Sequence, residues 1–213
     1  GTSNFRAGVN AGNSIASGGN YNVVVGDEAG TALTTGDSNV AVGFEALSTE
    51  DASSFNVALG YRALKVNNGG DANVAIGFQA LVANTTANNN VAIGNGAMSL
   101  NTTGTFNVAV GATSLEANTT GSNNNAYGYG SLGDNTTGIH NNSFGTLALA
   151  ACTTGGYNIA MGSNALAGTT TGVQNVGLGH GALTANTTAS NNTAVGNAAL
   201  LANTTGANNV AVG

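Results

Sequence analysis

The sequence predicts an all-β fold, a parallel β-solenoid (β-roll) of 17-residue coils, and three observations predict it. An asparagine recurs every 17 residues in twelve copies, and a glycine follows each of them four residues later. Between the two lies a short run of β-branched residues and alanine, which is typical of a strand bounded by turn residues. No segment holds a helical apolar period. The asparagines are Asn22, Asn39, Asn56, Asn73, Asn90, Asn107, Asn124, Asn141, Asn158, Asn175, Asn192 and Asn209.

The positions of each unit are numbered here as slots one to seventeen, starting from the recurring asparagine. Slot three is small, slot four is always apolar and slot five is always glycine. Slots eight and nine hold an apolar pair such as Ala46 and Leu47, and slots twelve to fifteen hold a cassette such as Asn101-Thr102-Thr103-Gly104. We expect a firm strand at slots two to four, a shorter second strand at the apolar pair, and a turn at the cassette. Glycine at slot five is expected to supply a positive φ.

The size of a coil predicts that the coils stack. Seventeen residues at about 3.3 Å each give a closed path of at most about 56 Å, which encloses little volume. Such a coil cannot bury its apolar side alone, so equivalent strands of successive coils are expected about 4.8 Å apart. Asn22 through Asn209 should then form one column, along which side-chain amides can bond, and the slot-four residues another. The slot-four residues are Val25, Val42, Leu59, Ile76, Ile93, Val110, Tyr127, Phe144, Met161, Leu178, Val195 and Val212.

Two segments are distinguished along the chain. Residues 22–213 are the twelve-copy solenoid, and residues 1–21 are a divergent N-terminal repeat or partial cap, in which Asn4 to Gly8 is a copy shifted to 18 residues before Asn22. The last unit ends at Gly213, in slot five. Because a bare terminal coil exposes apolar interior and unpaired backbone groups, we expect further chain or an end-to-end neighbour to cover it.

The strand residues also predict association between chains. Slots two and four point to one face of a strand and slot three to the other. None of the thirty-six residues in slots two to four is charged, so both faces should be at least partly buried, and a homo-oligomer covers the second face most simply. Slot two also accepts Asn125, Asn142 and Thr193, so a neutral solvent-facing strand of a monomer is the alternative.

Composition excludes several classes of partner. The formal charge is −6 and the only basic residues are Arg6, Arg62 and Lys65, so we expect no nucleic-acid partner. No apolar run approaches the roughly 20 residues that span a bilayer, so no membrane span is expected. Cys152 is the only cysteine, which leaves no intrachain disulfide and no cysteine-based metal site.

The motif N-x-A-x-G-x-x-A-L followed by N-T-T-G, over residues 22–213, resembles the repeats of phage and bacterial tail-fibre proteins. It is also similar to the head repeats of YadA-like trimeric autotransporter adhesins, although this unit is longer. The resemblance implies a left-handed parallel β-roll, three chains around one axis, and an extracellular role in attachment or as a spacer. It further implies a glycan or protein receptor on a host surface.

Isolated polar groups carry little chemistry. His140 and His180 have no recurring Ser, Cys or carboxylate beside them and are interpreted as exposed histidines. The acidic pair Asp27-Glu28, like the pair Glu50-Asp51, is interpreted as solvated rim because the G-G-x-G-x-D signature of calcium β-rolls is absent. No catalytic, metal or cofactor-binding residue is therefore assigned, no cofactor is expected, and the ligand-binding residues remain unknown.

Cys152 and three aromatic residues are further candidates for a site. Cys152 replaces the cassette asparagine and is interpreted as an unpaired surface or half-buried thiol. Aromatic faces bind glycans, but Tyr127 and Phe144 occupy slot four and are expected in the core, which leaves Tyr129 as the free candidate.

Six Asn-Thr-Thr triplets are glycosylation sequons if the source is a eukaryotic secretory pathway. We favour turns, in which Asn adopts the left-handed conformation and the Thr hydroxyls bond the local backbone. The triplets begin at Asn84, Asn101, Asn118, Asn135, Asn186 and Asn203.

Three function classes follow from the pattern. A structural fibre shaft or adhesin segment, not an enzyme, is favoured because the period is regular and no reactive group recurs. The alternative is an ice-binding β-solenoid that uses stacked Thr-Thr columns, although Glu50-Asp51 and Asn67-Asn68 interrupt them. A depolymerase ranks third, since no paired carboxylates recur at a groove.

Overall fold

A computed structural model describes residues 3–15, 18–49 and 52–213 and forms one parallel sheet of thirteen strands, with no helix among these residues. The strands lie side by side in chain order, and each has three residues. The predicted all-β solenoid of 17-residue coils is confirmed. The strands are β1 (Phe5–Ala7), β2 (Val23–Val25), β3 (Val40–Val42), β4 (Val57–Leu59), β5 (Val74–Ile76), β6 (Val91–Ile93), β7 (Val108–Val110), β8 (Asn125–Tyr127), β9 (Asn142–Phe144), β10 (Ile159–Met161), β11 (Val176–Leu178), β12 (Thr193–Val195) and β13 (Val210–Val212).

Equivalent residues of successive coils lie beside each other in the sheet. Val42 pairs with Leu59 and Leu59 with Ile76, so the expected slot-four column is confirmed. The first strand follows the shifted N-terminal copy, because Phe5 pairs with Val23, 18 residues later. The extra residue of this first unit is thus taken up outside the strand.

Backbone hydrogen bonds join each coil to both neighbours. The N–H of Val40 donates to the carbonyl of Asn56 in the next coil, and the N–H of Gly43 donates to Val25 in the coil before, each at 2.8 Å. The bonds continue beyond the strand, since Leu47 N–H donates to Ala63 at 3.1 Å. Each coil is therefore held by a ladder around most of its perimeter.

The interior is filled by slots three, eight and nine. Ala41, Ala46 and Leu47 are fully buried, and the same slots of the other coils continue them as one hydrophobic core along the stack. In the units that begin at Asn39 to Asn192, small residues at slots three and eight leave room for one leucine or methionine at slot nine. The narrow interior expected from the coil length is filled in this way.

The second strand expected at the apolar pair is not formed, because this segment is a turn. Leu47, Leu64 and Leu81 have φ values of 50°, 53° and 50°, in the left-handed region that a strand cannot use. The conformation costs roughly 1–2 kcal/mol, and full burial of a leucine side chain offsets a similar amount. A buried leucine therefore marks a corner of the coil.

Glycine at slot five has the expected positive φ. Gly111 has a φ of 133°, and a Cβ there would lie 2.5 Å from the carbonyl oxygen of Gly128 in the next coil. Because backbone of the neighbouring coil fills the space, only glycine fits where the strand turns out of the sheet.

Candidate functional site

Two columns of buried asparagine amides run along the stack. In slot one, Asn107 Oδ1 accepts the N–H of Asn124 at 2.9 Å, and Asn107 Nδ2 donates across its own coil to the carbonyl of Gly121 at 2.8 Å. In slot twelve, Asn118 Nδ2 donates to Asn101 Oδ1 at 2.7 Å and to Gly121 at 3.0 Å. The predicted slot-one column is confirmed, and the slot-twelve column is a second one that the sequence did not indicate.

The cassette therefore differs from the local turn that was expected. Its asparagines lie outside the left-handed region, and those at residues 84, 101, 118, 135 and 186 are fully buried. Their amides bond the neighbouring coil, so these five sequons are closed to glycosylation in the folded chain. The prediction of a left-handed turn asparagine was wrong because slot twelve points inward.

The threonines of the cassette separate into two kinds. Thr102 Oγ1 donates to the carbonyl of Thr119, and Thr119 Oγ1 donates to the carbonyl of Thr136, each at 3.0 Å. The slot-thirteen hydroxyls therefore bond the backbone of the next coil, whereas bonds to the local backbone were expected. Slot-fourteen threonines are exposed in eight successive coils, and no described residue bonds their hydroxyls. These threonines are Thr86, Thr103, Thr120, Thr137, Thr154, Thr171, Thr188 and Thr205.

Slots two and four form the outer face of the sheet, called here the outer stripe, which runs from β2 to β13. Tyr127 and Phe144 lie on it with 38% and 37% of their surface exposed and their ring centroids 4.8 Å apart. Their predicted place in the core was wrong for the single chain, because slot three is the one strand slot that points into the narrow interior. The stripe is apolar except at Asn125, Asn142 and Thr193, where Asn125 Nδ2 donates to Asn142 Oδ1 at 2.8 Å.

Cys152 is fully buried, so its interpretation as a surface or half-buried thiol was wrong. It occupies slot twelve, where its Sγ lies 3.5 Å from the carbonyl of Gly155. Burial raises the pKa of the thiol to about 11, so the group stays protonated at neutral pH.

The histidines are exposed, as predicted, and His140 stacks on Tyr157 with ring centroids 4.9 Å apart. Asp27 accepts the N–H of Val9 at 3.0 Å and so helps to hold the N-terminal segment. The pair Glu50-Asp51 lies outside the described residues. Within the described ranges no three His, Cys, Asp or Glu side chains gather as a metal site.

Slot six carries an aromatic stack that the sequence analysis missed. The ring centroids of Phe44 and Tyr61 lie 5.6 Å apart, and those of Tyr61 and Phe78 lie 5.2 Å apart. Reading slot six down successive units would have found it. The rings share their faces with each other, so the stack offers solvent mostly ring edges.

A cluster of three charged residues lies in the same coils. Glu45 binds Lys65 at 2.9 Å and Arg62 at 2.6 Å. Hydrogen bonds from Lys65 and Arg62 hold the pKa of Glu45 below its usual value. Both basic groups are therefore already paired within the chain.

An open groove of about 250 Å³ lies in the second half of the chain. There Gly130 and Gly133 leave slots seven and ten of one coil without side chains. Glu116 of the preceding coil and Asp134 line it. Tyr129, 58% exposed, is also part of the lining. The groove thus brings the free aromatic candidate together with two carboxylates.

Comparison with known proteins gives no relative, since no family model, curated protein or solved structure matches the chain. No helix in the described ranges is long and apolar enough to cross a membrane. Function is therefore inferred from the geometry of the stack and the chemistry of its surface.

Proposed function

We propose that this chain is a structural segment of an extracellular trimeric fibre, either a shaft or part of an adhesin, that holds a receptor-binding element away from a surface. The observation that carries the proposal is the unbroken ladder of thirteen parallel strands. Twelve steps of about 4.8 Å give a rod about 58 Å long. The role is mechanical and involves no catalytic step.

Rigidity follows from how the coils are joined. Backbone bonds connect each coil to both neighbours, and two buried amide columns run beside the apolar core. Bending the rod would stretch several of these ladders at once, and a buried amide that loses its partner costs about 1–3 kcal/mol. Such a stack is suited to act as a spacer.

The outer stripe supports association of identical chains. It is uncharged along its whole length, and Leu59 and Ile93 on it are 43% and 36% exposed. A surface that repeats at every coil is matched best by a surface with the same repeat, and a second copy of this chain carries one. The number three comes from the resemblance to trimeric fibres and adhesins.

The experiment is a native mass measurement of the full chain and of two matched variants. Ile93→Lys places a charge on the outer stripe, whereas Asn95→Lys places it at the exposed slot six of the same coil. We expect a trimer for the wild-type chain and for Asn95→Lys, and a folded monomer for Ile93→Lys. A wild-type chain that is monomeric at micromolar concentration contradicts the proposal.

Ice binding remains the second candidate, and the slot-fourteen threonine column favours it. The column presents eight free hydroxyls, each one coil from the next. The neighbouring slot-thirteen hydroxyls already donate to backbone carbonyls, so only one column is free to order water. Thermal hysteresis that disappears in Thr137→Lys would establish this function, and its absence in the wild-type chain would remove it.

A further inference from the structure

We propose that the groove formed by Gly130 and Gly133, with Tyr129, Glu116 and Asp134 in its lining, binds a primary ammonium group on an alkyl chain, as carried by a lysine side chain of a partner protein. The groove lies at slots six, seven, ten and eleven. It is separate from the outer stripe at slots two and four. The groove therefore shares no residue with the outer stripe.

The shape of the groove comes from two glycines of one coil and from the Leu147 side chain of the next. Gly130 and Gly133 take the places that Thr113 and Glu116 fill in the coil before, and Leu147 and Ala150 fill in the coil after. The coil is recessed at Gly133, whereas the side chain of Leu147 leans over Gly130, where an added Cβ would lie 2.8 Å from Leu147 Cδ2. The volume of about 250 Å³ is below that of a site for a drug-sized ligand and suits a single side chain.

The charge of the groove is exceptional for this part of the chain. Glu116 and Asp134 are the only charged residues after Asp71, and both line this groove. Both are exposed, and no described residue forms an ion pair or hydrogen bond with either carboxylate. The two negative charges therefore lack compensation in the chain, and the complementary ligand is a cation.

The remaining lining selects the type of cation. Tyr129 and the aliphatic wall of Leu147 give methylene groups an apolar contact, and an aromatic face attracts an ammonium group. Carboxylates accept N–H bonds, which a primary ammonium offers and a quaternary one does not. A metal ion is not favoured, because two carboxylates fall short of the ligands that a site requires.

Titration of the full chain with small probes, followed by NMR signals of the Tyr129 ring, tests this assignment. Nα-acetyl-lysine methylamide should bind with a dissociation constant on the order of 1 mM at low salt, and more weakly as salt screens the carboxylates. The norleucine analogue, tetramethylammonium and N-acetylglucosamine should each bind at least about fivefold more weakly.

Variants that copy other coils make the test specific while preserving the fold. Glu116→Ser, Asp134→Ala and Gly133→Val install residues found in the same slots at Ser99, Ala117 and Val82. Each carboxylate removal should weaken lysine binding about threefold, and Gly133→Val should abolish it. Asp71→Asn, which removes an exposed charge elsewhere, should leave it unchanged.

Four results overturn the assignment. They are no lysine binding at tens of millimolar, equal binding of the norleucine analogue or tetramethylammonium, tighter binding of the sugar, and unchanged lysine affinity in the groove variants. The last of these would place any observed binding at another surface.

Discussion

Asn135 Oδ1 is buried without a hydrogen-bond partner because Cys152 stands in the next coil where an amide donor would lie. It is the only buried side-chain nitrogen or oxygen of the described residues in this state. Asn135 Nδ2 itself donates to Oδ1 of Asn118, in the coil before, at 2.8 Å. The column is therefore interrupted at the residue that replaces the amide.

Restoring the amide should stabilise the chain. In Cys152→Asn the new Nδ2 can donate to Asn135 Oδ1 and to the carbonyl of Gly155, as the other slot-twelve asparagines do. Satisfying one buried acceptor is worth about 1–3 kcal/mol, and the thermal midpoint should rise by several degrees. Circular dichroism melts measure this, with Cys152→Ala as the control that adds no donor. A melting point for Cys152→Asn at or below that of Cys152→Ala would contradict the explanation.

The same cysteine predicts a loss of stability at alkaline pH. Its folded pKa is raised from 9.0 to about 11, so between these values the unfolded chain releases the thiol proton and the folded chain keeps it. The contribution is fully present below pH 9.0 and is lost as pH rises to about 11, by about 3 kcal/mol in total. Urea unfolding at several pH values should show this loss in the wild-type chain relative to Cys152→Ala. Parallel pH profiles of the two proteins would rule it out.

A charge at slot three should prevent folding. Ala109 is fully buried, and an unpaired carboxylate there costs several kcal/mol. We expect Ala109→Asp to be insoluble or unfolded. Thr120→Asp, at an exposed slot of the same unit, should change the free energy of unfolding by no more than about 0.5 kcal/mol. Soluble Ala109→Asp with an unchanged melt would show that slot three does not face the core.

The left-handed corners predict a stabilising surface substitution. Ala72 is exposed with a φ of 55°, and Asn89 takes the same conformation in the next coil. Since asparagine tolerates this region better than alanine, Ala72→Asn should gain up to about 1 kcal/mol. Ala72→Val, which is β-branched, should lose stability at the same position. Chemical denaturation of the three proteins measures both changes, and an order other than Asn, Ala, Val would count against backbone strain.

Periodicity was sufficient to predict the stacking but not the orientation of every slot. The constant interval from Asn22 to Asn209 fixed the register, and glycine at slot five indicated the bend. Alternation of side chains alone could not say that Tyr127 and Phe144 lie outside, because that depends on how little space a coil encloses. The inward direction of slot twelve went unrecognised, although Leu33 and Cys152, apolar substitutes at an otherwise polar position, are the residues that could have revealed it.

The groove was the hardest feature to anticipate. Tyr129 was identified as a free aromatic, whereas Glu116 and Asp134 differ from it in slot and lie five or more positions away along the chain. Glu116 joins the other two only because adjacent coils are in contact. Comparing the same slots in neighbouring units, where glycine replaces larger residues, is the signal that would have revealed the recess.

The amide columns connect residues 17 positions apart, as in the bond from Asn124 N–H to Asn107 Oδ1. This spacing means that the length of the rod is set by the number of 17-residue units. Excising residues 90–106 would bring one unit onto the next with all donors and acceptors in phase, and would shorten the rod by about 4.8 Å. A cut of another length must be absorbed outside the strands, as the extra residue before Asn22 is. Genes that gain or lose whole units can therefore set the reach of such a protein in discrete steps without altering its cross-section.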